Sequence, residues 1–214
     1  MCNVYLMPDA TTFALFALAC VAFLVIPGPS VFYIVTRSLV QGRRAGVTSM
    51  FGVQVGGLVH VVAAAFGLSA LIASSAAAFT VVKYAGAAYL IFLGLRKLLG
   101  REPEEPKLEP GPASSGQLFA HGVIVNVLNP KTALFFLAFL PQFVDPSAGP
   151  VAPQMLVLGL MLVSIGVFSD GTYALLAASI GNRLKARRRL ERISGAVFVS
   201  LGVVAALAGE PKQS

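Results

Sequence analysis

Charge is what this chain has least of. Only 12% of its residues are Asp, Glu, Lys or Arg, while 57% are hydrophobic and the mean hydropathy is +0.81. Soluble domains hold roughly 45 to 50% apolar residues, so this balance excludes an ordinary water-soluble globule and indicates an all-α integral membrane protein. Two cysteines, Cys2 and Cys20, are too few for a disulfide framework and form no Cys-x-x-Cys redox pair. Two histidines, His60 and His121, offer few ligands to a soft cation. No Ser-His-acid or His-x-x-x-His arrangement supplies an embedded hydrolase with a nucleophile or a metal. We therefore expect no catalytic residue, no metal and no cofactor. The first ten residues contain Asp9 but no Lys or Arg, so the basic leader of a signal peptide is missing and the first apolar run reads as a retained helix.

What the chain has instead is a series of apolar runs joined by short basic segments. Six spans are expected, at residues 11–40, 46–74, 77–99, 118–144, 151–180 and 193–207. The stretch 100–117, GREPEEPKLEPGPASSGQ, is polar and rich in Pro and Glu, and reads as an exposed cytoplasmic linker. Of the 16 basic residues, all but Lys83, Lys131 and Lys212 fall in or beside the first, third and fifth inter-span segments. That bias places those segments in the cytoplasm and both termini outside, and it accounts for the net charge of +7 without invoking nucleic acid.

The linker divides the chain into residues 1–99 and 118–214, each with three spans. Pro27-Gly28-Pro29 interrupts the first span of one half and Asn129-Pro130-Lys131 the first span of the other. The last spans also match, with Lys83, Gly86-Ala87 and Leu93-Gly94 echoed by Arg192, Gly195-Ala196 and Leu201-Gly202. An odd number of spans per half turns the copies upside down relative to each other, the inverted-repeat plan of secondary transporters.

The residues able to carry chemistry stand out against this background. Lys131 lies roughly 20 Å from either end of its apolar run, where a lysine costs about 2.5 to 3.5 kcal/mol unless it faces protein or water. Pro130 removes a backbone donor beside it, and Pro27 and Pro29 do the same in the first span. The segments that begin at Ser30 and Thr132 then expose N–H groups to a carboxylate, and the carbonyls before Pro29 and Pro130 are open to an ammonium. Gln54, Asn126 and Asn129 either contact a substrate or hydrogen-bond between helices. Asp170, roughly 15 Å deep in the fifth span, either carries a proton or forms a structural ion pair with Lys131. His60 either relays a proton or packs as a hydrogen-bonded core residue. Gly52, Gly56 and Gly57 form a small-residue face for close helix packing. Arg37 is expected to snorkel to the inner surface, and Tyr84, Tyr89 and Tyr173 read as packing or interface residues.

Several of these features occur together in one family. Pro27-Gly28-Pro29, the turn from Gly42 to Gly46 with Gly52 and Gly56, Tyr89-Leu90 with Leu93-Gly94, Asn129-Pro130-Lys131 with Pro141-Gln142-Phe143, and the segment 195–202 resemble the LysE/RhtB family of amino-acid exporters. The resemblance runs from Phe13 to Leu207. It implies a bacterial cytoplasmic-membrane carrier that expels amino acids or derivatives of the threonine, homoserine, homoserine lactone or lysine class, coupled to inward proton movement. The implied partners are the lipid bilayer, a small amino-acid substrate and protons, and a homodimer is compatible with the reading. The competing readings are an exporter of another small solute or a metal cation, and a membrane scaffold. A scaffold has no need of a midplane lysine and two broken helices.

Overall fold

The computed structural model describes residues 8–25, 27–68 and 112–177, with scattered positions between 70 and 99 and residue 203. The expected sixth span and most of the linker lie outside the described residues, as do Lys83, Arg192 and the glycine matches between the two last spans. Every regular element among the described residues is helical. In chain order these are α1 (Ala10–Val25), α2 (Pro29–Gln41), α3 (Arg43–Val62), α4 (Ser115–Val127), α5 (Pro130–Leu134) and α6 (Val151–Leu176). A π-helical turn, Ala63–Leu68, continues α3, while a π segment, Phe135–Phe139, and a 3-10 turn, Leu140–Phe143, continue α5.

Local chemistry sets these boundaries. Asp9 Oδ1 accepts the Thr12 N–H at 2.7 Å and so starts α1. Hydrogen bonds from Thr12 hold the Asp9 carboxyl below its ordinary value, so this cap is present at neutral pH and is lost as acid protonates it. Between α2 and α3 the chain turns on Gly42 alone, whose φ of 85° is disfavoured for any residue with a Cβ. The fourth span begins at Ser115, inside the stretch read as linker, because Ser114 and Gln117 close a capping box. Ser114 Oγ accepts the Gln117 N–H at 3.3 Å, and the Gln117 side chain accepts the Ser114 N–H at 2.9 Å.

Arg43–Gly67 and Val151–Leu176 are each long and apolar enough to cross a bilayer. The pairs α1–α2 and α4–α5 pass the same test together, bent by 52° and 45° at their breaks. The described residues thus hold two to four candidate spans, according to whether each bent pair is counted as one.

Glycine governs the contact between α3 and α4. A Cβ on Gly56 would lie 2.7 Å from the Val123 carbonyl, one on Gly122 would lie 2.6 Å from the Ser49 carbonyl, and one on Gly52 would collide with the Phe119 carbonyl. The backbones therefore meet with no side chain between them. Two apolar clusters flank the region where the bent helices approach each other. The larger holds Phe16, Phe23, Phe135, Phe136 and Phe139 together with Leu158 and Leu162, and its tightest ring pair is Phe23–Phe135 at 4.3 Å between centroids. The smaller holds Tyr33, Ile34, Met50, Val53 and Ala174.

Arg37 corrects one expectation. Instead of reaching the inner surface it is 4% exposed, with its guanidinium 5.6 Å from the Tyr33 ring centroid and Nη1 donating to Gln41 Oε1 at 3.3 Å. It shares the packed face of α2 with Tyr33, Ile34 and Ser38, so the helix turns it inward.

Candidate functional site

Each proline break leaves a carbonyl without its helical donor, since residue i would have donated to i−4. Pro27 leaves Phe23, Pro29 leaves Val25 and Pro130 leaves Asn126. The first two are satisfied by side chains from the other half of the chain, while the Asn126 carbonyl accepts the Asn129 N–H at 3.1 Å and meets a side chain from the other half as well. Lys131 Nζ donates to the Phe23 carbonyl at 2.7 Å, and the Tyr173 hydroxyl donates to the Val25 carbonyl at 2.9 Å. His60 Nε2 lies 3.0 Å from the Asn126 carbonyl, and because a carbonyl only accepts, this nitrogen carries the proton. The His60 ring also stacks on Phe136, with centroids 5.7 Å apart.

A polar network joins the two breaks. Asn126 Oδ1 accepts from Ser30 Oγ at 3.0 Å and from Thr132 Oγ1 at 2.9 Å, while its Nδ2 donates to the Val53 carbonyl at 2.7 Å. Asn129 Nδ2 donates to Ser30 Oγ at 2.9 Å, and its Oδ1 accepts the Lys131 backbone N–H at 3.0 Å, capping α5. Both asparagines are thus oriented from two sides, which fixes the break geometrically.

Behind this network lies a cavity of about 50 Å³, room for a few water molecules. Gly28, Gln54, Gly57, Asn126, Asn129, Lys131 and Asp170 all line it, so seven of the residues singled out in the sequence meet at one place. Lys131 is 6% and Asp170 4% exposed. The Lys131 ammonium sits 4.3 Å from the Phe23 ring centroid, a cation–π contact added to the carbonyl bond. Its stem runs against Gly28, where a Cβ would come within 2.9 Å of Lys131 Cδ. Asp170 Oδ2 accepts from Gln54 Nε2 at 2.8 Å, whereas Oδ1 has no hydrogen-bond partner.

The remaining residues singled out take other places. Pro27, Pro29 and Pro130 shape the breaks and do not line the cavity, His60 sits behind Asn126, and Gly52 and Gly56 serve the α3–α4 contact. The hydroxyls of Ser30 and Thr132 and the ring and carbonyl of Phe23 escaped the sequence reading, as did the phenol of Tyr173. For Ser30 and Thr132 a signal existed, since each is a hydroxyl residue within two positions of a helix-breaking proline. Among the described residues no three His, Cys, Asp or Glu side chains come close enough to hold a metal. The arrangement offers one buried cation and one buried anion, with neutral donors and acceptors between them and apolar walls from Phe136, Leu162 and Val163.

Residues 21–209 match the family described as LysE type translocator. The chain is 33% identical to an uncharacterized membrane protein of Vibrio cholerae, over 94% of this chain and 98% of that protein. It is 32% identical to a homoserine/homoserine lactone efflux protein of Salmonella typhimurium, over 85% of this chain and 89% of that protein. A leucine efflux protein of Klebsiella pneumoniae is 29% identical, over 88% of this chain and 90% of that protein. No solved structure matches. These matches, on a chain of apolar helices, establish that it belongs to the LysE type translocator family.

Proposed function

We propose that this protein exports a small amino acid or amino-acid derivative across a bacterial cytoplasmic membrane, in exchange for inward protons. The observation that carries this reading is the buried pair Lys131 and Asp170, opposite charges facing one cavity where two proline-bent helices meet. A zwitterion is the cargo such a cavity suits. The names of the Salmonella and Klebsiella relatives, homoserine/homoserine lactone efflux protein and leucine efflux protein, support a small cargo that carries an amine, and homoserine and leucine are zwitterions.

In this reading the carrier has six spans arranged as two inverted three-helix repeats, residues 1–99 and 118–214, joined by the cytoplasmic linker. Both termini lie outside. Cargo enters from the cytoplasm between the repeats, and its carboxylate draws the Lys131 ammonium away from the Phe23 carbonyl. The first N–H groups of α2, around Ser30, add partial positive charge for the same carboxylate. Rocking of one repeat against the other then opens the outer side. Asp170 carries the returning proton, and His60 holds the break at Pro130.

Inverted membrane vesicles supplied with labelled homoserine or leucine test this directly. Uptake should follow an imposed proton gradient and stop when the gradient is dissipated. Uptake of every amino acid in a 20-member panel at the rate of protein-free vesicles would overturn the assignment.

A further inference from the structure

Asp170 Oδ1 is a buried carboxylate oxygen with no hydrogen-bond partner, and it belongs to a residue that lines the cavity. A buried acceptor left unmade costs about 1 to 3 kcal/mol, and more when it is charged. An unmade acceptor of this kind calls for a partner, and one that lines a cavity can take it from whatever enters the cavity. Its sister oxygen is held by Gln54 Nε2 at 2.8 Å, and a Cβ on Gly166 would come within 2.9 Å of Gln54 Oε1. The carboxylate is therefore fixed from one side and open from the other. Across the cavity, the Lys131 ammonium is bound to the Phe23 carbonyl.

We propose that Asp170 Oδ1 is the receptor for the primary ammonium group of the cargo, and that cargo and proton compete for this single oxygen. The proposal rests on the export reading and adds to it a substrate requirement and a coupling rule. Cargo needs a protonated amine. Because one oxygen cannot hold an ammonium and a proton together, each outward trip with cargo leaves Asp170 ionised, and each return trip takes one proton inward. The exchange is one for one, and for a neutral zwitterion, which leaves as one positive charge enters, it moves net charge.

Among the described residues, the charged and titratable groups on elements packed around Asp170 are few. Lys131 lines the same cavity. On its own helix, Tyr173 spends its hydroxyl on the Val25 carbonyl. On α3, His60 is engaged at Asn126, and on α2, Arg37 lies beside Tyr33 and Gln41.

The test measures equilibrium binding to the purified full-length protein in lipid nanodiscs. The probes are leucine and homoserine, each paired with its deamino analogue, 4-methylpentanoate or 4-hydroxybutyrate. The wild type should prefer the amino acid by about 100-fold or more, consistent with rejection of a ligand that leaves a buried group unpaired. Its affinity should fall about tenfold per pH unit once the carboxyl protonates. In Asp170→Asn the amino acid and its analogue should bind within about threefold of each other, with no pH slope across the same range. Asp170→Glu should keep the preference. An Asn variant that keeps both the preference and the slope overturns the proposal. If that variant fails to fold, a flat pH profile in the wild type overturns it equally. Export from intact cells is scored in parallel: binding without export overturns the proposed function alone, whereas export by an Asn variant with unchanged amine preference overturns the Asp170 assignment alone.

Discussion

At the scale of single residues, the site is built from carbonyls that prolines leave open and side chains that close them. Lys131 is the residue with most to lose. Lys131→Ala should lower export by about tenfold or more, because it removes the cavity's cation and strands the Phe23 carbonyl at a cost of about 1 to 3 kcal/mol. Labelled-amino-acid efflux, normalised to protein in the membrane, checks this. His60 invites a sharper measurement. His60→Ala should slow transport, and His60→Gln, which retains a donor, should restore much of it. Equal export rates for the two variants would show that the donor at His60 is not what transport needs. Lys131 and Asp170 were legible in the sequence because a charge inside an apolar run has to be explained. Tyr173 and Phe23 were not, since a phenol and an apolar ring look like packing until the fold brings them to a proline-freed carbonyl.

At the scale of elements, the breaks and the glycine face were visible and the irregular helices were not. Pro27, Pro29 and Pro130 announce interruptions through a missing donor, and Gly52 and Gly56 announce a close contact by their spacing. Nothing in AAAFGL or FFLAF distinguishes a π turn from an α-helix, and both are π-helical here. Such turns are rare and frequently occur at functional sites. The capping box at Ser114 was a readable signal that lay hidden under the composition of the linker. The α3–α4 contact yields its own prediction. Gly52→Val and Gly122→Val should each destabilise the protein by about 1 to 3 kcal/mol through overpacking. Thermal unfolding in detergent measures this, and an unchanged midpoint would mean that the two backbones are not held together as described.

At the scale of the whole molecule, the two ends of the bundle are distinguished by what meets there. Gln41 Nε2 donates to the Ala113 carbonyl at 3.0 Å, which brings the end of α2 to the start of α4 beside Arg43 and Arg44. At the other end, Pro8, Asp9 and Thr12 share a groove with Gln142 and Asp145. In the proposed orientation the first end faces the cytoplasm, as the positive-inside bias of the sequence suggests. A cysteine placed at Asp145, in a chain whose Cys2 and Cys20 are replaced by serine and alanine, should therefore react with an impermeant maleimide on intact cells. One placed at Ala113 should react only after permeabilisation, and the reverse pattern would invert the carrier.

The crossing of donors from one half of the chain to the carbonyls of the other has an evolutionary corollary. A helix-breaking proline is tolerable in one half only while its complement survives in the other, so the pairs Pro27 with Lys131 and Pro29 with Tyr173 should be gained and lost together in descent. A lineage that reverts one of these prolines is released from keeping the matching side chain, and that position becomes free to drift.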